Sequence, residues 1–213
     1  MYRTILFDLD GTLTDPGLGI TNSFAYALEK LGLEVPDRKE LYTIIGPPLK
    51  DCIIDRYGFS DEAAENAVKI FREYFSTKGL FENEVYPGVP EMLQKLRDEG
   101  KKVILATSKP EPFTFRILER FDLMKYFDFV AGATMDSTRV KKADVIAYAL
   151  ESCGITDLSE AVMIGDREHD IIGAKAHAMD SIGVLYGYGS REEHEKAGAT
   201  RIAATVSELS AML

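Results

Sequence analysis

The chain has 213 residues, 46% of them hydrophobic and 28% charged, with a formal charge of −10. This length fits one core domain with a modest insertion, and the composition excludes disorder, repeats and a membrane span, since no apolar run approaches about 18 residues. The negative charge disfavours nucleic acid polymers and anionic membranes as partners, because both select clustered Lys and Arg.

The N-terminal residues run straight into a strand-like segment with no signal-peptide pattern, and Cys52 and Cys153 lack metal or redox spacing. A cytoplasmic protein with free thiols is the expectation, as a monomer or homodimer.

In chain order, Thr4 to Leu9 is an apolar run that predicts a first strand. From about Asp15 to Glu84 the pattern is helix after helix, punctuated by Pro36-Asp37 and Gly46-Pro47-Pro48. Ser60 is placed to cap a helix with an apolar stripe of Ala64, Val68, Phe71 and Phe75. Beyond it, strands are predicted over Lys102 to Thr107, Phe127 to Ala131, Ala161 to Ile164, Ser181 to Leu185 and, more weakly, Arg201 to Ala203. Helices fall between them, one from Pro90 to Gly100 and one ending in Cys153-Gly154, each closed by a glycine suited to a left-handed cap. Alternating strands and helices predict an α/β fold, a Rossmann-like parallel sheet covered by helices. The expected division is a core of residues 1–14 and 85–213 and a helical cap of 15–84, inserted where ligands bind in open α/β sheets.

Four segments carry chemistry. The first strand ends in Asp8-Leu9-Asp10-Gly11-Thr12, two carboxylates at i and i+2 and therefore on one face of a strand. Two close carboxylates need a cation, or one must hold a proton, which suits Mg2+ together with acid/base work. The second strand delivers Thr107 and Ser108 to the same sheet edge, where hydroxyl and amide donors match phosphate oxygens. Lys141-Lys142 opens a helix, and one of these lysines is placed to neutralise a phosphoryl group in transfer. Finally Gly165-Asp166 ends a strand and Asp170 follows four residues later. Each segment also has an ordinary reading: an acidic turn, turn capping, a solvated lysine, or an acidic helix start favoured by the dipole. Tyr186-Gly187-Tyr188-Gly189-Ser190 reads as a turn after a strand, and His169, His177 and His194 are too scattered for a metal site.

Together, and in this order, the four segments resemble the motifs of the haloacid dehalogenase superfamily, in its phosphoglycolate phosphatase-like branch with a cap after the first motif. The resemblance implies that Asp8 attacks phosphorus to form an aspartyl phosphate and that Asp10 protonates the leaving group and then activates water. It further implies that Thr107 and Lys142, or Lys141 in its place, serve the phosphoryl group, with Gly11, Thr12 and Ser108 binding substrate. Magnesium would be held by Asp8, the backbone carbonyl of Asp10 and Asp166, with Asp170 beside them. The expected activity is Mg2+-dependent hydrolysis of a small phosphorylated metabolite, a phosphoglycolate-like ester. The alternatives are a 5'-nucleotidase or an inorganic pyrophosphatase of the same family. A phosphosugar mutase is disfavoured because Ile20 stands where that branch has a His, and a non-catalytic module is disfavoured because no motif carboxylate is missing.

Overall fold

The computed structural model describes residues 2–213. In chain order the elements are β1 (Thr4–Phe7), β2 (Thr14–Asp15), α1 (Gly17–Lys30), α2 (Arg38–Leu41), α3 (Leu49–Tyr57), α4 (Asp61–Tyr74), β3 (Glu84–Val85) and α5 (Val89–Asp98). They continue with β4 (Lys102–Pro110), α6 (Glu111–Arg120), β5 (Phe129–Ala133), α7 (Lys142–Ser152), β6 (Ala161–Gly165), α8 (Glu168–Ala176), β7 (Asp180–Val184), α9 (Arg191–Ala197), β8 (Arg201–Ala203) and α10 (Val206–Met212).

Six strands form one sheet in the order β5-β4-β1-β6-β7-β8, and every pair is parallel. β1 lies at the centre, with Phe7 level with Leu105 of β4 and Ile164 of β6. Strands buried on both faces need apolar side chains at successive positions, which is why Ile5-Leu6-Phe7, Val103-Ile104-Leu105-Ala106 and Ala161-Val162-Met163-Ile164 are unbroken apolar runs at 0% exposure. Val145, Ile146, Ala149 and Leu150 recur at helical spacing on α7 and pack with Leu6, Ile104, Ala106 and Met163. Truncating such a side chain, as in Leu6→Ala, costs about 2–5 kcal/mol because the surrounding core closes only partly.

The chain divides into two compact units, residues 1–14 with 85–213, and residues 15–84. The second is helical: Ser60 Oγ accepts from the Ala63 amide at 3.3 Å to start α4, whose Ala64, Ala67 and Phe71 are buried. Val68, expected in that stripe, is only half-buried. A five-residue π turn, Phe75–Gly79, follows α4 and packs on α1. Gly19 permits the approach, since a Cβ there would lie 1.9 Å from the Gly79 carbonyl oxygen.

Several predicted strand ends move by one to three residues, as where β4 runs on to Pro110. β5 runs to Ala133 and starts at Phe129, not Phe127, because Met124–Tyr126 closes a 3₁₀ turn first. β1 stops at Phe7, so Asp8 and Asp10 are not neighbours along a regular strand. The ladder persists through the Asp8 amide, which donates to Ile164 O at 2.9 Å, and the chain then folds back. The Leu9 carbonyl accepts from the amides of Thr12, Leu13 and Thr14. Gly11 sits at φ 77° in that turn, a conformation that glycine takes without strain.

Candidate active site

The central position of β1 decides what surrounds Asp8. Because β4 and β6 flank it in parallel, the residues at and just beyond the carboxyl ends of these strands converge at one sheet edge. Asp8, Asp10, Thr107, Lys109, Lys142, Asp166 and Asp170 are all buried there. Lys142, first residue of α7, sends its ammonium to 2.8 Å from Asp8 Oδ1 and 2.8 Å from Asp170 Oδ1 and donates to Ala106 O at 2.9 Å. The two carboxylate contacts are charge contacts off the line of a hydrogen bond. Lys141 is exposed.

Asp170 occupies the third position of α8, where its Oδ2 accepts from the Arg167 amide at 3.3 Å, so it caps the helix as well as facing Lys142. Gly165 makes room for it: a Cβ there would sit 2.0 Å from Asp170 Cγ. Asp166 is enclosed in the same way, since Cβ atoms on Gly11 and Gly187 would lie 2.0 Å and 2.6 Å from its Oδ2. The Tyr188 amide donates to that oxygen at 2.8 Å.

Asp10 turns to a different partner. Its Oδ2 accepts from Lys109 Nζ at 2.5 Å, and the Lys109 amide in turn donates to Thr107 Oγ1 at 3.2 Å. Ser108, between them on β4, is half-buried, while Gly11 and Thr12 lie buried in the turn after Asp10. Tyr186 donates its hydroxyl to Thr12 O at 3.1 Å.

Four carboxylates, Asp8, Asp10, Asp166 and Asp170, thus share one buried region with two ammonium groups, Lys109 and Lys142. Four against two leaves two negative charges. Burial pushes the carboxyl of Asp166 well above the ordinary range, with the charges of Asp170 and Asp8 adding to the effect and the Tyr188 amide and Arg167 opposing it. Asp170 is pushed up by burial against the counter-pull of Lys142, and Asp10 by burial against that of Lys109. For Lys142 burial works toward neutrality, and the charges of Asp170 and Asp8 outweigh it and hold the ammonium above its usual value. Each 2.8 Å contact represents about 6 kcal/mol of attraction at an effective dielectric near 20. Desolvating each ion costs several kcal/mol, so these pairs add little net stability and are better explained by chemistry.

The region suits a divalent cation. Ligand oxygens of Asp8, Asp166 and Asp170 all lie within 4.8 Å of one another. Asp166 Oδ1 is buried without a hydrogen-bond partner, and hard oxygen donors are what Mg2+ selects. The carboxylate of Asp10 stands outside this trio and is engaged by Lys109; its backbone carbonyl is the donor that the resemblance implies.

Two elements of the site lie outside the expectations from sequence. Lys109 carries no signal of its own, because a lysine just past a predicted strand usually faces solvent. The segment Tyr186 to Ser190, read as a turn, is a turn that packs on Gly11 and Asp166, and its glycine spacing was the available signal.

Among the described residues no helix is long and apolar enough to cross a membrane. Residues 5–184 match the family model described as haloacid dehalogenase-like hydrolase. A 5'-nucleotidase of Pseudomonas aeruginosa is 42% identical over 212 residues, covering 100% of this chain and 96% of that protein. The tyrosine-protein kinase PtkA of Mycobacterium tuberculosis is 40% identical, covering 97% of this chain and 71% of that protein. A phosphoglycolate phosphatase of Pseudomonas savastanoi pv. phaseolicola is 30% identical, covering 87% and 70%. A crystal structure of a predicted phosphatase from Clostridium acetobutylicum superposes with a TM-score of 0.97 at 47% identity, covering 100% of this chain and 98% of that one. The chain belongs to the haloacid dehalogenase-like hydrolases, in the branch of its phosphoglycolate phosphatase-like members, and is a phosphoric monoester hydrolase.

Proposed function

We propose that the protein is a Mg2+-dependent phosphatase that hydrolyses a small phosphorylated metabolite, a phosphoglycolate-like ester, through an aspartyl phosphate on Asp8. The observation that carries this reading is the pairing pattern: Lys142 faces Asp8 while Lys109 faces Asp10, so the two carboxylates are electrostatically separated for different tasks.

Asp8, facing the Lys142 ammonium, attacks phosphorus, forming a bond from its carboxylate oxygen as the bond from phosphorus to the ester oxygen breaks. Asp10, which burial favours in its protonated form, gives its proton to the departing ester oxygen. A water molecule then attacks phosphorus and loses its proton to Asp10, releasing phosphate and restoring both carboxyl groups. The Thr107 hydroxyl and the Lys142 ammonium serve the non-bridging oxygens. Mg2+ held by Asp8, Asp166, the Asp10 carbonyl and, directly or through water, Asp170 would offset the carboxylate charge that otherwise repels an anionic phosphoryl group.

A 5'-nucleotidase and a relative named as a pyrophosphatase, 33% identical over 183 residues, keep nucleoside monophosphates and pyrophosphate as competing substrates. The test is a hydrolysis screen of the purified protein with phosphoglycolate, sugar phosphates, nucleoside monophosphates and pyrophosphate, with chelator and then with Mg2+. Turnover of phosphoglycolate above the others, lost with chelator and regained with Mg2+, is expected. Full turnover with chelator, or a clear preference for another class, refutes the corresponding part.

A further inference from the structure

Asp166 is gripped by residues well beyond it in the chain. The loop after β7 supplies the Tyr188 amide to its carboxylate at 2.8 Å, and Gly189 approaches so closely that a Cβ would lie 1.9 Å from the Asp166 carbonyl oxygen. That loop is seated on His194 of α9. The imidazole is at 0% exposure, and its Nε2 donates to Val184 O at 3.1 Å, while Nδ1 is buried without a partner. A Cβ on Gly183 would lie 2.5 Å from His194 Cγ, and one on Gly189 would lie 3.3 Å from its Cε1, so the ring fills the space beneath both ends of the loop.

The preceding residue grips the other side. Glu193 Oε1 accepts from Arg167 Nε at 2.9 Å and from the Glu168 amide at 2.8 Å, fixing the two residues that follow Asp166. Consecutive residues of one short helix therefore hold both the chain segment that carries Asp166 and the loop that covers it. The Glu193 carboxylate bonds Arg167 and Glu168, and the His194 ring bonds Val184, so both act on Asp166 through other residues.

We propose that Glu193 and His194 are positioning residues that fix Asp166 for divalent cation binding, Glu193 through Arg167 and Glu168 and His194 through the loop from Leu185 to Ser190. This rests on the reading of Asp166 as a cation ligand. Outer groups of this kind set the orientation of a ligand carboxylate, and their loss typically weakens metal binding about 10- to 100-fold.

The test is direct Mn2+ binding by electron paramagnetic resonance on the full chain without substrate, with the thermal midpoint of each variant measured alongside. Wild type should bind and Asp166→Asn should lose most of that binding. Glu193→Ala and His194→Phe should weaken it by about tenfold or more. Glu193→Gln keeps an acceptor for the Glu168 amide and should fall between. Glu195→Ala removes only an exposed pair with Arg191 on the same helix and should bind Mn2+ as wild type does. If His194→Phe does not fold, half-buried Glu193 still decides the matter. Wild-type affinity in Glu193→Ala, or equal weakening in Glu195→Ala, overturns the positioning role while leaving the cation site in place. Failure of wild type to bind, or undiminished binding by Asp166→Asn, refutes the cation site and the proposal with it.

Discussion

Lys109 Nζ lies 2.5 Å from Asp10 Oδ2 between two buried side chains, so the proposed proton-transfer group has an ammonium as its fixed partner. Lys109→Met should lower kcat by about a hundredfold, the scale of a misplaced general acid, with a smaller change in KM. Lys109→Arg keeps the charge and should recover part of the loss. Steady-state kinetics on the best substrate decide this, and an unchanged kcat in Lys109→Met would show that Asp10 works without its partner.

Lys142 balances Asp8 and Asp170 at once. Removing one member of a buried ion cluster leaves uncompensated charge, so Lys142→Met should cost about 3–5 kcal/mol in urea denaturation without divalent cation. Lys141→Met, at an exposed position, should cost less than about 0.5 kcal/mol. Equal losses in the two variants would contradict the assignment.

The fold was legible where one physical signal dominated. Unbroken apolar runs such as Val103 to Ala106 mark strands buried on both faces, and their alternation with helical stripes leads to a parallel sheet. The carboxylates were legible because acidic residues ending apolar runs have few ordinary uses. What the sequence could not show was adjacency between distant segments. Lys109 reaches Asp10 only because β4 lies beside β1, and Glu193 reaches Arg167 only because the chain returns beside β6 through β7. The spacing of Asp8 and Asp10 predicts a strand face, whereas amides crowding the Leu9 carbonyl turn the chain there instead.

Gly187 tests the packing around Asp166. A Cβ at this position would lie 2.2 Å from Gly11 O and 2.4 Å from Asp166 Cβ, so Gly187→Ala should cost about 1–3 kcal/mol and lower Mg2+ affinity together. Gly58→Ala is the control, because its φ of 65° brings backbone strain of about 1–2 kcal/mol while nothing lies within 4 Å of the added methyl. Its Mg2+ affinity should not change. Calorimetric titration on both variants separates the two outcomes, and a Gly187→Ala protein with normal affinity would refute the packing argument.

Glu193 gives a pH signature of folding stability. Burial would raise its carboxyl, but the Glu168 amide and the Arg167 guanidinium outweigh burial and hold it below the ordinary value of 4.5. A depressed folded-state value stabilises the fold above the unfolded value, and that stabilisation disappears as pH falls through the folded one. The stability difference between wild type and Glu193→Gln should therefore be full at neutral pH and shrink as pH falls below the ordinary value of 4.5 and through the folded one. Denaturation curves across this range check it, and a difference that grows in acid would contradict it.

The central claim is covalent chemistry at Asp8, and acid-quench trapping tests it most directly. Enzyme mixed with a radiolabelled phosphate ester, quenched within one turnover and digested, should carry label on the peptide containing Asp8. The label should be released by hydroxylamine, as an acyl phosphate is, and should be absent from Asp8→Asn. Label on another residue, or sustained turnover by Asp8→Asn, would contradict the account.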